Sequence, residues 1–265
     1  MSLIQTPGEI RTSVREGIGT LLISNPAKRN AMSKAMWAAF SSSMAALDAD
    51  PEVRVIVVRG DGDLAFVSGA DISQFEGQRN SEQEQADYDA TAAEAYAAPG
   101  RASKPVIAAI RGNCIGGGLG LAAACDLRIC STDARFRMPA ARLGLAYHVD
   151  GVDHFVGLVG PQQVLDLFMT ARVFSAEEAL RIGFVAAVES TEGIDLKVAE
   201  VAAMIAQNAP LTLRAVKLSV QAACNRKKST AKAAHEAVAA CSRSSDYVEG
   251  RKAFIEKRAP RFTGR

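Results

Sequence analysis

Two short glycine-containing segments hold the residues best placed to do chemistry. The first, Arg111–Gly120 (RGNCIGGGLG), carries five glycines between an apolar, β-branched run and a run of helical character. Glycine permits positive φ and close approach of a ligand to the backbone, and a helix N-terminus supplies unpaired N–H groups and a positive dipole end. The segment therefore predicts either a backbone ligand site or close packing of a helix on a strand. It matches neither GxGxxG nor GxxxxGK(S/T), which argues against a dinucleotide or nucleoside triphosphate.

The second segment, Phe66–Ile72 (FVSGADI), also leaves a strand through a turn of small residues. Serine and aspartate are typical turn and cap residues, so this segment taken alone predicts a turn. It becomes informative together with the first segment.

Predicted buried strands lead into both segments. The runs Val53–Arg59 and Pro105–Ile110 are apolar and β-branched, which is typical of strands covered on both faces. Ser33 is the predicted N-cap of the helix before them. Ala86–Ala98 predicts an alanine-rich helix between them, ended by Pro99-Gly100.

The order of elements predicts the fold class. Strands and helices alternate to about residue 195, and beyond it the pattern is helical throughout. This order indicates an α/β core over residues 1–195, followed by a helical segment over residues 196–265.

Composition excludes several classes of partner. The 31 basic and 29 acidic residues leave a net charge of +2, so we expect neither nucleic acid nor a membrane as partner. The apolar runs are far shorter than the roughly 20 residues of a membrane span. Five widely spread cysteines without a CxxC pair indicate reduced thiols in a cytoplasmic protein and no metal site.

Taken together, the two segments resemble the crotonase (enoyl-CoA hydratase/isomerase) superfamily. In that family an F-x-(A/S)-G-A-D-I loop is followed by a strand, an NG-x-x-x-GGG turn and a helix. The resemblance covers about residues 10–262. Further matching segments are Asn25–Ser33, Cys125–Ile129, Leu143–Leu145, Leu158–Gly160, Ala176–Gly183 and Glu249–Arg258.

The resemblance implies a ClpP-like spiral of ββα units whose helical C-terminal segment builds homotrimers, often paired into hexamers. It implies an acyl-CoA thioester as substrate, with coenzyme A as part of that substrate and no separate cofactor. Two backbone N–H groups would face the thioester carbonyl, here those of Ser68 and Gly117. Such donors stabilise the negative charge that develops on the oxygen as an enolate forms.

The resemblance also implies where coenzyme A lies. Lys28, Arg29 and Ala31 would border the pantetheine and phosphates. Phe254 and Lys257 would reach the adenine and 3′-phosphate bound to a neighbouring subunit. The remaining residues expected at coenzyme A are Gly69, Ala70, Asp71, Ile72 and Gly116.

The chain departs from the family at its two catalytic glutamates. Gly120 stands at the first position and Ala140 at the second. Neither residue can hold or activate water, so orthodox hydration is not expected. Tyr147 and His148 follow in LGLAYH, and we expect them to carry the replacement chemistry, since histidine exchanges protons near neutral pH.

Several functions stay open at this point. LGLAYH and Ser245–Gly250 partly resemble methylmalonyl-CoA decarboxylase, whereas that enzyme keeps the first glutamate. The leading hypothesis is an acyl-CoA isomerase, decarboxylase, C–C lyase or hydrolase. The alternatives are an enoyl-CoA hydratase that uses other residues, and an acyl-CoA-binding protein without catalysis.

Overall fold

The computed structural model describes residues 8–71, 81–147, 149–225 and 228–265. The strands are β1 Glu9–Arg15, β2 Ile18–Ser24, β3 Val55–Gly60, β4 Ala65–Val67, β5 Val106–Ile110, β6 Asn113–Ile115, β7 Leu127–Ser131, β8 Arg135–Arg137, β9 Val173–Ser175 and β10 Ala187–Glu189. The helices are α1 Lys34–Ala49, α2 Glu82–Arg101, α3 Gly117–Ala124, α4 Val149–Val159, α5 Pro161–Thr170, α6 Ala176–Arg181, α7 Ile194–Ala206, α8 Pro210–Asn225, α9 Lys228–Ser242 and α10 Ser245–Glu256.

The strands form two sheets. The larger has the order β1-β2-β3-β5-β7-β10 and is parallel except for the β1–β2 pair. The smaller has the order β4-β6-β8-β9, with β8 and β9 antiparallel. Successive chain segments contribute one strand to each sheet and then a helix, as in β3-β4-α2 and β5-β6-α3. This confirms the predicted α/β spiral of ββα units.

The smaller sheet brings the two glycine-containing segments together. β4 and β6 are parallel neighbours, with Ala65 opposite Asn113 and Val67 opposite Cys114. The carboxyl ends of parallel strands lie at the same edge of a sheet. Each segment continues from one of these two ends, so both reach the same edge.

Apolar residues of the strands and of helices α1–α3 form the main core, in which Phe40, Phe66 and Phe136 are fully buried. Helix α7 covers the other face of the larger sheet, where Ile194 and Val198 pack against it. Packing on both faces of the central strands explains their continuous apolar runs.

The predicted end of the alanine-rich helix is wrong. Helix α2 passes through Pro99 to Arg101. A proline removes one N–H donor from a helix. Side chains of α8 satisfy carbonyls at this end, because Lys217 Nζ donates to Pro99 at 2.7 Å and Gln221 Nε2 to Gly100 at 2.9 Å. The sequence around Pro99 could not reveal these distant donors.

The predicted N-cap Ser33 is confirmed. Its side chain accepts from the N–H of Met36 at the start of α1, and Ser175 caps α6 in the same way by accepting from the N–H of Glu178. These caps satisfy N–H groups that the first helical turn leaves unpaired.

Candidate active site

The N-terminus of α3 combines tight packing with an open donor. Gly116 precedes the helix with φ 53°, and its N–H donates to the carbonyl of Arg137 at 2.9 Å. A Cβ on Gly118 would overlap the carbonyl oxygen of Val67, so this glycine allows close packing on β4. The first helical bond joins Gly120 N–H to the Gly116 carbonyl. Gly117 N–H lies before that bond, and the described residues provide no acceptor for it.

The other predicted donor, Ser68, does not fit the role. Its N–H donates to the carbonyl of Arg29 at 3.2 Å, so it is not available to a thioester oxygen. The prediction from the family pattern is therefore wrong for Ser68. Its hydroxyl is bonded as well, to the carbonyl of Lys28 at 3.1 Å.

Ala70, two residues further on, leaves its N–H outside the backbone bonds to Met32. Met32 pairs with Ala70 in a parallel bridge in which Met32 N–H donates to Gly69 and Asp71 N–H donates to Met32. This pattern uses the groups flanking Ala70, so the N–H of Ala70 itself points away from Met32. A Cβ on the neighbouring Gly69 would be 3.3 Å from Ile115 O and 3.9 Å from Gly117 N, so this loop lies beside the start of α3.

The C-terminus of α3 is held by a buried cation. Arg128 donates to the carbonyls of Ala122, Ala123 and Cys125 at 2.6–3.3 Å and to Phe184 at 2.6 Å. Burial lowers the pKa of this guanidinium, and the nearby Cys125 and Asp126 oppose that shift. A cation at the negative end of the helix dipole is stabilising. Arg128 therefore fixes the helix whose other end carries Gly117.

Aromatic side chains cover the first vacant glutamate position. A Cβ on Gly120 would lie 3.3 Å from Cε1 of Tyr96, and a Cβ on Gly117 would lie 2.7 Å from the Tyr96 hydroxyl. Trp37 is 5.2 Å from Tyr96 between ring centroids, and its Nε1–H donates to Tyr88 at 3.0 Å. The phenol of Tyr96 thus lies beside the Gly117 end of α3.

The second vacant position is stabilised by Tyr147. Pro139 lies 3.6 Å from a Cβ placed on Gly116, which brings the Ala140 turn close to the α3 N-terminus. Ala140 N–H donates to the hydroxyl of Tyr147 at 3.0 Å, and the Tyr147 ring packs on Phe168 at 4.6 Å. Burial raises the pKa of Tyr147, although the N–H bonds oppose the shift, so the phenol stays neutral.

The residues expected at coenzyme A fall into two groups. Lys28 Nζ binds the buried carboxylate of Asp71 at 2.7 Å, close to the exposed Arg29 and the buried Ala31. Phe254 and Lys257 lie on and just after α10, where the Phe254 ring is 86% exposed. Ile72 and His148 lie outside the described residues.

In the described part of the chain, no three His, Cys, Asp or Glu side chains are grouped so that they could hold a metal ion. No helix among residues 8–71, 81–147, 149–225 and 228–265 has the length and apolar character needed to cross a membrane.

Comparison with known proteins decides the family. The family model described as enoyl-CoA hydratase/isomerase matches residues 13–265. The chain belongs to the enoyl-CoA hydratase/isomerase family. This confirms the resemblance seen in the sequence, and the chain is an acyl-CoA-processing enzyme of that family.

Named relatives of the family cover nearly the whole chain. It is 33% identical to a crotonyl-CoA hydratase of Syntrophomonas wolfei over 93% of this chain and 95% of that protein. It is 34% identical to a carnitinyl-CoA dehydratase of Citrobacter koseri over 82% of this chain and 84% of that protein. A solved enoyl-CoA hydratase/isomerase family protein of Hyphomonas neptunium superposes with a TM-score of 0.91 at 32% identity, covering 97% of this chain and 98% of that one.

Sequence reasoning missed the roles of four residues around the site. Ala70 was placed at coenzyme A, whereas its N–H orientation depends on the bridge to Met32. Tyr96 and Tyr88 are eight residues apart in α2, a spacing that puts both on one face, and this was the available signal. Nothing in the local sequence marks Arg128 as the cap of α3.

Proposed function

We propose that this enzyme stabilises the enolate of an acyl-CoA thioester between the N–H groups of Gly117 and Ala70, and that it is not an orthodox hydratase. The observation that carries the proposal is the orientation of these two N–H groups. Gly117 precedes the first bond of α3, the Met32 bridge turns the Ala70 N–H away from Met32, and the adjoining Gly69 lies beside Gly117.

Charge stabilisation is the chemistry this arrangement supports. The thioester oxygen becomes negative as the α-carbon gains carbanion character, and fixed N–H donors lower the energy of that state. Loss of one such donor commonly costs about 10²–10³ in rate. The dipole of α3 adds positive potential at Gly117, while Arg128 holds the far end of the helix.

Vacancy at both glutamate positions favours a reaction other than hydration. Gly120 and Ala140 offer no group to position or deprotonate water. Isomerisation, decarboxylation, C–C cleavage and hydrolysis all pass through enolate or oxyanion character, and they remain the candidate reactions. Tyr147 and His148 are the proposed side chains for proton transfer, although the Tyr147 hydroxyl already accepts the Ala140 N–H.

Coenzyme A is proposed to lie along Lys28, Arg29 and Ala31, with contacts from the backbone of residues 69–72 and 116. The homotrimer or hexamer remains a proposal of the same kind. Its support is the exposed apolar surface of the C-terminal helices, at Val216, Val220, Phe254 and Ile255. Apolar surface of this extent commonly marks an interface. In such an assembly Phe254 and Lys257 would meet a neighbour's coenzyme A.

A second candidate is a genuine hydratase that uses other residues. It is favoured by the 33% identity to a protein named crotonyl-CoA hydratase. A third candidate is an acyl-CoA-binding protein without catalysis.

The test combines binding, carbonyl polarisation and turnover. Crotonyl-CoA, 3-hydroxybutyryl-CoA and malonyl-CoA are each titrated by calorimetry and incubated with the enzyme, with products followed by mass spectrometry. The infrared carbonyl stretch of bound crotonyl-CoA should fall below its value in solution, because two N–H donors polarise it. Absence of binding would refute the proposal. Binding without a carbonyl shift or any turnover would favour the non-catalytic candidate.

A further inference from the structure

We infer that the Tyr96 hydroxyl is a third hydrogen-bond donor to the oxygen of the bound thioester, and that Gly120 is glycine so that the Tyr96 ring can lie there. The inference rests on the proposed function, since it concerns the same oxygen. It assigns a substrate contact to a side chain of α2. The two catalytic positions of the family give no indication of a contact from this helix.

The first support is the position of the hydroxyl. It lies 2.7 Å from the place where a Cβ on Gly117 would stand. A thioester oxygen that accepts from the Gly117 N–H would lie about 2.9 Å from that nitrogen. The N–H and the Cβ position belong to the same residue, so this oxygen would lie beside the Tyr96 hydroxyl. A neutral phenol donates a hydrogen bond without losing its proton. The proton stays on Tyr96, so no transfer step is required.

The second support is the shape of the α3 surface. Gly117 and Gly120 are three residues apart and therefore share one face of the helix. Without side chains they form a flat surface on which the ring of Tyr96 rests. A Cβ on Gly120 would be 3.3 Å from Cε1 of that ring, closer than ordinary van der Waals contact. Glycine at the former glutamate position is thus the residue that admits Tyr96.

The third support is the rigidity of the ring's surroundings. Trp37 is 1% exposed, is tilted by 57° against Tyr96, and is itself fixed by its bond to Tyr88. Lys217 and Gln221 hold the end of α2 only a turn beyond Tyr96. A donor held in place in advance contributes more than one that must be ordered on binding.

The test compares ligands with and without a carbonyl. Crotonyl-CoA and the thioether S-butyl-CoA are titrated against the wild-type enzyme, Tyr96→Phe and Thr91→Val. One neutral hydrogen bond corresponds to about a three- to tenfold change in Kd. Tyr96→Phe should raise the Kd of crotonyl-CoA by that factor and leave the Kd of S-butyl-CoA within about twofold. It should also reduce the carbonyl shift of bound crotonyl-CoA.

Thr91→Val is the matched control. It removes a hydroxyl from the same helix, one that bonds the carbonyl of Asp87 at 2.8 Å within that helix. It should leave the ratio of the two affinities unchanged. Trp37 is the only tryptophan in the sequence, so its fluorescence reports whether each variant keeps the native surroundings of the ring.

A second variant keeps the hydroxyl. Gly120→Ala should displace the Tyr96 ring by a few tenths of an ångström. It should therefore reduce the carbonyl shift, but by less than Tyr96→Phe does.

Two outcomes would show that Tyr96 is a packing residue and overturn the inference. In one, Tyr96→Phe weakens the binding of both ligands equally, and in the other it weakens the binding of neither. Failure of the wild-type enzyme to bind either ligand would instead refute the proposed function.

Discussion

The two vacant glutamate positions are both covered by tyrosines, and the tyrosines do different things. At Gly120 the ring of Tyr96 lies against the helix, and its hydroxyl reaches the Gly117 side. At Ala140 the hydroxyl of Tyr147 accepts a main-chain N–H of the turn, and its ring packs on Phe168. One phenol oxygen is placed beside the proposed substrate oxygen, and the other stabilises the protein backbone.

The difference teaches that a missing catalytic group can be replaced in two ways. The glycine at position 120 makes room for a side chain from another helix. The alanine at position 140 leaves a turn that needs an acceptor, and Tyr147 supplies it. We therefore expect substitutions around Gly120 to change the affinity for acyl-CoA, and those around Ala140 and Tyr147 to lower stability and turnover with little change in affinity.

The largest expected effect concerns hydration itself. Crotonyl-CoA should be hydrated much more slowly than by a hydratase with both glutamates, because each lost acid or base commonly costs about 10²–10⁴ in rate. Ultraviolet loss of the enoyl absorbance measures this directly. Ala140→Glu should be tolerated because Ala140 is half-exposed, whereas Gly120→Glu should collide with Tyr96. Rapid hydration by the wild-type enzyme would remove the basis of the comparison.

The next effect concerns what holds the Tyr96 helix. Lys217 is buried and bonds Asp126 at 2.9 Å as well as the carbonyl of Pro99. Lys217→Met should lower the free energy of unfolding by about 1–3 kcal/mol, since it removes the charged partner of a half-buried carboxylate and the donor to the Pro99 carbonyl. Lys197→Met, which breaks a pair on the surface with Glu200, should cost less than about 1 kcal/mol. Urea unfolding of both variants gives the values, and equal losses would contradict the assignment.

A double-mutant cycle tests the comparison itself. Gly117→Ala places a Cβ against the Tyr96 hydroxyl, and Tyr96→Phe removes that hydroxyl. Their effects on crotonyl-CoA affinity should be coupled by about 0.5–3 kcal/mol, whereas Gly117→Ala and Tyr147→Phe should be additive. Coupling to Tyr147 of the same size would mean that both tyrosines act on one site.

The smallest effect belongs to Tyr147. Tyr147→Phe removes the acceptor of Ala140 N–H and should lower the free energy of unfolding by about 1 kcal/mol at neutral pH. Burial raises the pKa of Tyr147 in the folded enzyme above its unfolded value of about 10. Its contribution is therefore complete below pH of about 10 and is lost as the pH rises through the folded pKa. Chemical unfolding of the variant should accordingly show a weaker loss of stability above that pH.

Local sequence patterns predicted most of the fold because the signals were local. A helix start can be recognised from its capping serine, as at α1 and α6. A buried strand can be recognised from its apolar run, as in β3 and β5. The end of α2 was misjudged because Lys217 and Gln221, more than a hundred residues away, satisfy it. Glycines 116–118 marked the tight start of α3 for the same local reason, since tight turns and close packing both demand glycine.

The second donor could not be assigned by motif alone. Ser68 and Ala70 stand in the same loop, and either N–H could face a ligand. Only their partners elsewhere in the chain distinguish them. The Arg29 carbonyl accepts the N–H of Ser68, whereas the bridge to Met32 leaves the N–H of Ala70 pointing away from Met32. Tyr96 was missed for a similar reason, since its contact with α3 joins two separate turns of the spiral.

The bridge between Met32 and Ala70 has a consequence for amide hydrogen exchange. The amides of Met32 and Asp71 are bonded within the protein and should exchange slowly with deuterated solvent. The amide of Ala70, one residue from Asp71, should exchange quickly in the free enzyme. Its exchange should slow down when a thioester oxygen accepts its hydrogen bond. Ser68, bonded to Arg29, should change little. The isotope pattern of Ser68, Ala70 and Asp71 would thus reveal, without any substitution, which main-chain hydrogen meets the substrate.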